Sequence, residues 1–124
     1  MTKKFGTAFK STIGAIALFL VFTTTASAQQ SIDDGAAKVT TYLKSKLSLN
    51  DGQYSRVLEI NKVYLNKVAA NDGATSVEKA KKQKAYDEER DSKLKSVLNE
   101  SQYKIYVANR SANAKRYREA MDKK

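Results

Sequence analysis

Two stretches of this sequence share one pattern and decide the fold: Leu49-Asn50-Asp51-Gly52-Gln53-Tyr54 and Leu98-Asn99-Glu100-Ser101-Gln102-Tyr103. In each, Asn is a favoured N-cap, because its side-chain oxygen accepts a backbone N–H of the first helical turn. Gln three residues later accepts the N–H of the cap, and Leu before the cap and Tyr after the Gln are the two halves of a hydrophobic staple. The acidic residue suits the positive end of the helix dipole. Each stretch therefore predicts a helix start, and we assign the motif a structural role.

Apolar residues around these starts recur with helical spacing, and the chain contains no proline. Periodicity predicts helices over residues 31–47, 51–70, 75–97 and 100–121. The third begins with a second kind of capping box, Thr75 with Glu78. This third helix is poor in apolar residues. Three acidic residues each precede a lysine by four positions, the spacing that favours an ion pair on a helix: Glu78–Lys82, Glu89–Lys93 and Asp91–Lys95. We predict an all-α fold of four helices in an open, elongated, hairpin-like layer.

The repeated motif gives the chain a family resemblance over residues 43–118. A Leu-(Thr)-x-x-Gln pattern that occurs twice in a small, basic, helical, exported protein resembles the LTxxQ-motif family of periplasmic proteins (Spy/CpxP-like). Asn replaces Thr at both caps, a change that preserves capping. The resemblance implies an antiparallel helical homodimer shaped like a shallow cradle, and it implies a role in the envelope stress response.

The first 28 residues are expected to be a signal peptide. Lys3, Lys4 and Lys10 form a basic start, residues 12–22 carry no charge, and Ala26-Ser27-Ala28 is a cleavage pattern before Gln29. The alternative, a membrane anchor, needs about 20 apolar residues, and the uncharged run is about half as long. We therefore divide the chain into a signal peptide, residues 1–28, and a helical periplasmic domain, residues 29–124.

Composition argues against catalysis and against cofactors. The chain has no His and no Cys, which removes the commonest general base and nucleophile as well as the usual zinc ligands. The carboxylates Asp87, Glu88 and Glu89 are the remaining candidates for a weakly held hard cation, but a charged helix surface explains them better. We predict that the protein is not an enzyme and holds neither a metal nor a cofactor.

Tyrosine and positive charge dominate what is left after the signal peptide. Residues 1–28 contain all four Phe, three of the 23 basic residues and none of the 13 acidic residues, so residues 29–124 keep seven Tyr and a net charge of +7. Basic residues interleaved with tyrosines can bind nucleic acid, by neutralising phosphates and stacking on bases. Export of the protein argues against that partner. Core packing of the tyrosines with a solvated basic back is the second alternative, and loose capture of unfolded chains is the third. The candidate client-binding residues are Tyr64, Leu65, Tyr106, Arg110, Lys115 and Tyr117.

The leading functional hypothesis is an ATP-independent periplasmic chaperone that binds unfolded or aggregation-prone proteins. A second is a regulatory partner that docks on the sensor domain of an envelope histidine kinase, as the resemblance also implies. A third is a basic adaptor for anionic envelope lipids or glycans. Promiscuous binding of unrelated clients separates the first hypothesis from the second.

Overall fold

A computed structural model describes the backbone of residues 26–122 and the side chains of residues 29–122. The chain divides into two units, residues 1–30 and 31–124, and the packing described below is that of the second unit. The expected signal peptide falls almost entirely outside the described residues. Residues 26–28, the expected cleavage pattern, lie in the first turn of a helix. Cleavage before Gln29 stays a prediction.

The described residues fold into five helices. They are α1 (Ala26–Leu47), α2 (Asp51–Ala69), α3 (Ser76–Val97), α4 (Glu100–Ala108) and α5 (Arg110–Met121). The all-α prediction is confirmed. Predicted boundaries agree closely for α2 and α3, whereas α1 begins five residues before the periodic apolar pattern does.

The predicted fourth helix is divided at Asn109 into α4 and α5. Two side-chain amides donate hydrogen bonds to backbone carbonyls here. Asn109 Nδ2 donates to Ile105 O at 2.8 Å, and Asn113 Nδ2 donates to Tyr106 O at 2.9 Å. Asn side chains compete in this way with the helical backbone ladder. The ladder resumes at once, because Asn113 N donates to Asn109 O at 2.9 Å. The break is therefore a one-residue interruption of the helix that periodicity did not reveal.

The end of α1 explains how the chain reaches the first repeated motif. Ser48 has a φ of 57°, and the N–H of Leu49 donates to Lys44 O at 3.2 Å. A left-handed residue directly after a helix permits this arrangement, in which the N–H of the second residue past the helix bonds to a carbonyl of the last turn. A left-handed conformation is unusual for a non-glycine residue, so Ser48 is a strained point of the fold.

The core of the second unit is mostly aliphatic and tyrosine. Its fully buried members include Leu43 on α1, Val57 and Leu65 on α2, Leu94 on α3 and Tyr106 on α4. Gly35 permits α1 to approach α5 closely, because a Cβ atom there would lie 2.9 Å from Ala120 O. None of the helices within the described residues has both the length and the apolar character needed to cross a membrane.

Ion pairs on α3 differ from those expected. Glu89 does pair with Lys93, at 3.2 Å, and it also pairs with Lys67 on α2, at 2.6 Å. Lys82 instead binds Asp72 in the loop before α3, at 2.8 Å. Thr75 caps the Glu78 N–H as predicted, but Glu78 accepts the N–H of Ala74 instead of that of Thr75, so only half of the predicted capping box is present. The expected pair of Asp91 with Lys95 is wrong, because Asp91 turns into the protein.

Candidate functional site

The two repeated motifs form helix starts and then meet each other. Asn50 and Asn99 each make a complete capping box with the Gln that follows. Gln53 Nε2 donates to Gln102 Oε1 at 2.8 Å, and Gln102 Nε2 donates to Gln53 Oε1 at 3.1 Å. We call these two side chains the glutamine pair. The cap prediction is confirmed, and the pairing is a tertiary contact that the sequence did not predict.

The glutamine pair also closes the ends of two other helices. Gln102 Nε2 donates to Leu47 O, the last residue of α1, at 3.1 Å. Gln53 Nε2 donates to Val97 O, the last residue of α3, at 3.3 Å. Each amide thus uses both its donors and both its acceptor positions. The pair joins the start of α2 and the start of α4 to the ends of α1 and α3.

The outer residues of the motifs have different surroundings. Leu49 and Leu98 are both buried in the core. Tyr54 is half-buried, its hydroxyl lies 3.4 Å from Thr41 Oγ1 on α1, and Lys44 lies over its ring. Tyr103 stacks against Tyr106, with 5.9 Å between ring centroids. Leu49, Leu98 and Tyr54 therefore contact other parts of the fold, whereas the contact of Tyr103 lies within α4. These contacts support the structural role assigned to the motif.

A buried arginine organises the second polar centre. The Arg90 guanidinium lies 4.5 Å from the ring centroid of Tyr64 and 4.4 Å from that of Tyr117, and the two rings meet edge to face at 5.1 Å. Cation–π contacts of a desolvated guanidinium are stabilising. Two carboxylates balance its charge: Asp91 at 3.1 Å and Asp87 at 3.8 Å. We call these five residues the arginine–tyrosine centre.

Asp91 joins this centre to the last two helices. Its carboxylate accepts from the Tyr106 hydroxyl at 2.7 Å and from Arg110 at 2.7 Å. Desolvation raises the pKa of Asp91, but the hydrogen bonds from Arg110 and Tyr106 and the charge of Arg90 outweigh it. The pKa therefore lies below its ordinary value, and Asp91 stays ionised as the common acceptor of three helices.

The tyrosine hydroxyls are fully used in this network. Tyr117 donates to Asn61 Oδ1 at 2.6 Å, Asn61 Nδ2 donates to Thr40 Oγ1 at 2.8 Å, and Thr40 donates to Ala36 O at 2.7 Å. Burial is the largest cause of the raised pKa of the Tyr64, Tyr106 and Tyr117 hydroxyls.

No buried side-chain nitrogen or oxygen among the described residues lacks a hydrogen-bond partner. Sequence reasoning missed this network because Arg90 and Asn61 are polar residues without a sequence signal for burial.

A cleft of about 400 Å³ opens beside the arginine–tyrosine centre. Its lining includes Val68, Gln83, Arg118 and Met121. Gln83 is already engaged, since its amide donates to the Tyr64 hydroxyl at 2.7 Å and to Asp87 at 3.0 Å. The cleft thus borders a network whose charged groups are already paired with one another.

Four of the six candidate client-binding residues lie in the core. They are Tyr64, Leu65, Tyr106 and Tyr117, and their exposed fractions are 6%, 0%, 2% and 3%. Leu65 and Tyr106 therefore present no binding surface in this structure, and Tyr64 and Tyr117 reach solvent only at the wall of the cleft beside the arginine–tyrosine centre. The remaining two, Arg110 and Lys115, are exposed, although Arg110 is bound to Asp91.

A partly exposed apolar surface lies between α2 and α3. Ile60, Val63, Tyr86 and Val97 line two adjoining depressions that share Ile60 and Lys93, and the larger has a volume of about 450 Å³. Val63 is 39% exposed. We call this surface the α2–α3 groove. Its polar border contains both signs of charge and consists of Arg56, Glu59, Lys67, Glu89 and Lys93.

Acidic residues considered for a cation have other partners. Asp87 accepts from Tyr64 at 2.6 Å, Glu88 pairs with Lys84 at 3.9 Å, and Glu89 binds two lysines. Within the part of the chain that the structure describes, no group of three or more His, Cys, Asp or Glu residues is placed to hold a metal ion.

These features define a basic all-helical domain that is assembled from two capped helical repeats. Residues 24–106 match the family described as "Domain of unknown function (DUF4890)". Because that range covers more than half of the 124-residue chain, the protein belongs to this family. Comparison with curated proteins and with solved structures finds no match.

Proposed function

We propose that the protein is a periplasmic, ATP-independent chaperone that binds unfolded or aggregation-prone proteins in the α2–α3 groove. The observation that carries this proposal is a partly exposed apolar strip between α2 and α3, in which Val63 is 39% exposed and Ile60, Tyr86 and Val97 are half-buried. Exposed apolar surface with a polar border is typical of interaction sites. The groove replaces the buried tyrosines as the client surface.

In this proposal, charge attraction speeds association of the client, and apolar contact slows its dissociation. Arg56 at the groove border has no acidic partner among the described residues, and residues 29–124 carry a net charge of +7. Attraction of an acidic client raises the association rate and weakens as salt increases. Once bound, the client is held by burial of Ile60 and Val63, so apolar substitutions chiefly change dissociation.

The groove offers a matched test. Val63→Ser removes an apolar side chain from the groove, whereas Val77→Ser removes one that is 63% exposed on α3 and lies outside the residues that line it. Complete burial of a valine contributes about 2 kcal/mol. The exposed 39% of Val63 therefore corresponds to about 1 kcal/mol, or about a fivefold weaker client affinity.

Aggregation suppression and stopped-flow binding are measured with reduced α-lactalbumin and with two unrelated unfolded proteins. We expect Val63→Ser to speed dissociation and Val77→Ser to match the wild type, with association slowing as salt rises. Equal behaviour of both variants would remove the groove from the mechanism. Binding of a sensor-kinase domain without suppression of any unrelated client would instead favour the regulatory hypothesis.

Location and assembly belong to the same proposal. An intact mass from the periplasmic fraction that begins at Gln29 supports export, and a mass that retains residues 1–28 contradicts it. Assembly as an antiparallel homodimer, which the LTxxQ-family resemblance implies, predicts twice the chain mass in sedimentation equilibrium.

A further inference from the structure

The walls of the α2–α3 groove are two helical faces that run antiparallel. The lining positions that recur at spacings of three or four residues are Lys67, Val63, Ile60 and Arg56 on α2, and Tyr86, Glu89, Lys93 and Val97 on α3. Lys67 meets Glu89 at one end, at 2.6 Å, and Arg56 and Val97 line the depression at the other. This spacing is that of one face of a helix, so the groove lies between two facing rows of side chains.

The two rows extend over about three helical turns. Residues 56–67 and residues 86–97 each advance by eleven positions, which corresponds to about 16 Å at the helical rise. A hollow between two adjacent helices accepts the side-chain ridge of a third helix. A partner helix with apolar residues at spacings of four, three and four places them along the apolar lining, which consists of Ile60, Val63, Tyr86 and Val97.

The middle of the groove offers side chains and no free backbone groups. Its central residues, Ile60, Val63, Glu89 and Lys93, lie inside α2 or α3, where helical hydrogen bonds use the backbone N–H and C=O groups. The described residues also contain no strand to which an extended client could add. An extended client would therefore bury its own backbone groups without backbone partners, which costs free energy. A helical client has already satisfied these groups within itself.

Charges at the border leave one cation without a partner. Glu89 is bound by Lys67 and Lys93, at 2.6 Å and 3.2 Å, and Glu59 lies 3.9 Å from Lys62. Arg56 is exposed and has no acidic partner among the described residues. An acidic side chain of the client next to Arg56 therefore completes the pairing of charges along this border.

We propose that the α2–α3 groove binds its clients as amphipathic helices of about three turns, with an acidic residue in the terminal turn beside Arg56. Recognition then follows the helix-in-groove mode, in which an apolar helical face enters a hollow between helices. The inference rests on the proposed function, because it names the form that a client takes in the same groove. It also separates good clients from poor ones: segments with helical apolar periodicity bind, and segments with alternating apolar residues bind weakly.

A pair of labelled peptides tests the helical form by fluorescence anisotropy with the purified protein. One peptide of about four turns carries leucines at spacings of four, three and four residues, a glutamate in its first turn, and alanine or glutamine elsewhere. Its diastereomer has D-alanine at two central positions, so charge and apolar content are unchanged while the right-handed helix is disfavoured. We expect the diastereomer to bind about 30-fold more weakly.

Variants of the protein locate the peptide in the groove. Val63→Ser should weaken binding of the all-L peptide about fivefold, and Val77→Ser should leave it unchanged. Arg56→Gln should weaken binding about threefold for the glutamate peptide and not for a peptide with glutamine in its place. Lys81→Gln removes an exposed charge of α3 outside the groove lining and should have no effect on either peptide. Far-UV circular dichroism verifies that all four variants are folded.

The outcomes separate this inference from the chaperone proposal. Equal affinity for the two diastereomers would overturn the helical form and leave the chaperone proposal intact. So would a failure to bind either peptide under conditions in which reduced α-lactalbumin is captured. Tight binding of the all-L peptide that Val63→Ser does not weaken would also overturn the inference, because the peptide would then lie elsewhere. Preference for the all-L peptide in the groove without suppression of aggregation would support the helical form and contradict the chaperone proposal.

Discussion

Replacing Gln53 and Gln102 by Ala, singly and together, tests whether the glutamine pair couples the two helical repeats. Gln102 makes four side-chain hydrogen bonds, with Asn99 N, Leu47 O and both polar atoms of the Gln53 amide. At about 1 kcal/mol net for each bond, and with some rehydration of the partners, Gln102→Ala should cost about 3 kcal/mol. Gln53→Ala should cost about 2 kcal/mol, because its bond to Val97 O is longer and its surroundings are less buried.

The double variant Gln53→Ala/Gln102→Ala tests whether the two side chains stabilise the protein through their mutual hydrogen bonds. Two of the hydrogen bonds belong to both side chains, so each single substitution already removes them. The double variant should therefore be about 1–2 kcal/mol more stable than the sum of the single effects predicts. The free energy of unfolding is measured by urea titration, followed by circular dichroism.

The capping residues provide the matched control cycle. Asn50→Ala and Asn99→Ala should each cost about 1 kcal/mol. These residues cap different helices and are not bonded to each other, so their effects should add to within about 0.5 kcal/mol. A coupling below about 0.5 kcal/mol in the glutamine cycle would refute the reasoning, because the shared bonds would then contribute nothing measurable.

Three further predictions concern stability. Ser48→Gly should stabilise the protein by about 0.5–1 kcal/mol in urea titration, because glycine adopts the left-handed conformation without the Cβ penalty; destabilisation would contradict the assigned strain. Gly35→Ala should lower the melting temperature although alanine is the better helix former, because its Cβ meets Ala120 O at 2.9 Å; an increase would show that α1 and α5 move apart easily. Asp91→Asn should cost about 2–3 kcal/mol at pH 7, because buried Arg90 loses the nearer of its two carboxylate partners. The lowered pKa of Asp91 means that this contribution is complete above the unfolded pKa of about 4 and is lost as the pH falls through the folded pKa, which lies lower. The stability difference between the two proteins should therefore begin to shrink below about pH 4 and disappear at still lower pH; a constant difference would exclude the charge.

Local chemistry in the sequence was sufficient to predict where helices begin. Asn50, Thr75 and Asn99 act on backbone groups within three residues of themselves, so their role follows from the neighbouring sequence. The apolar spacing in residues 31–47 likewise predicted the buried face of α1. The interruption at Asn109 was missed because it accompanies side-chain amide bonds to backbone carbonyls, which helical periodicity does not encode.

Tertiary packing decided what these helices bury and what they leave exposed. The sequence alone predicts that α2 and α4 each begin with a capped Gln, but only the fold brings Gln53 and Gln102 together across 49 residues. Arg90 belongs to the most charged helix and is nevertheless buried, because Tyr64 and Tyr117 arrive from two other helices to cover it. Capping is a short-range interaction, and its rules can be read along the chain. Burial depends on which surfaces distant segments bring together, and only the three-dimensional structure contains that information.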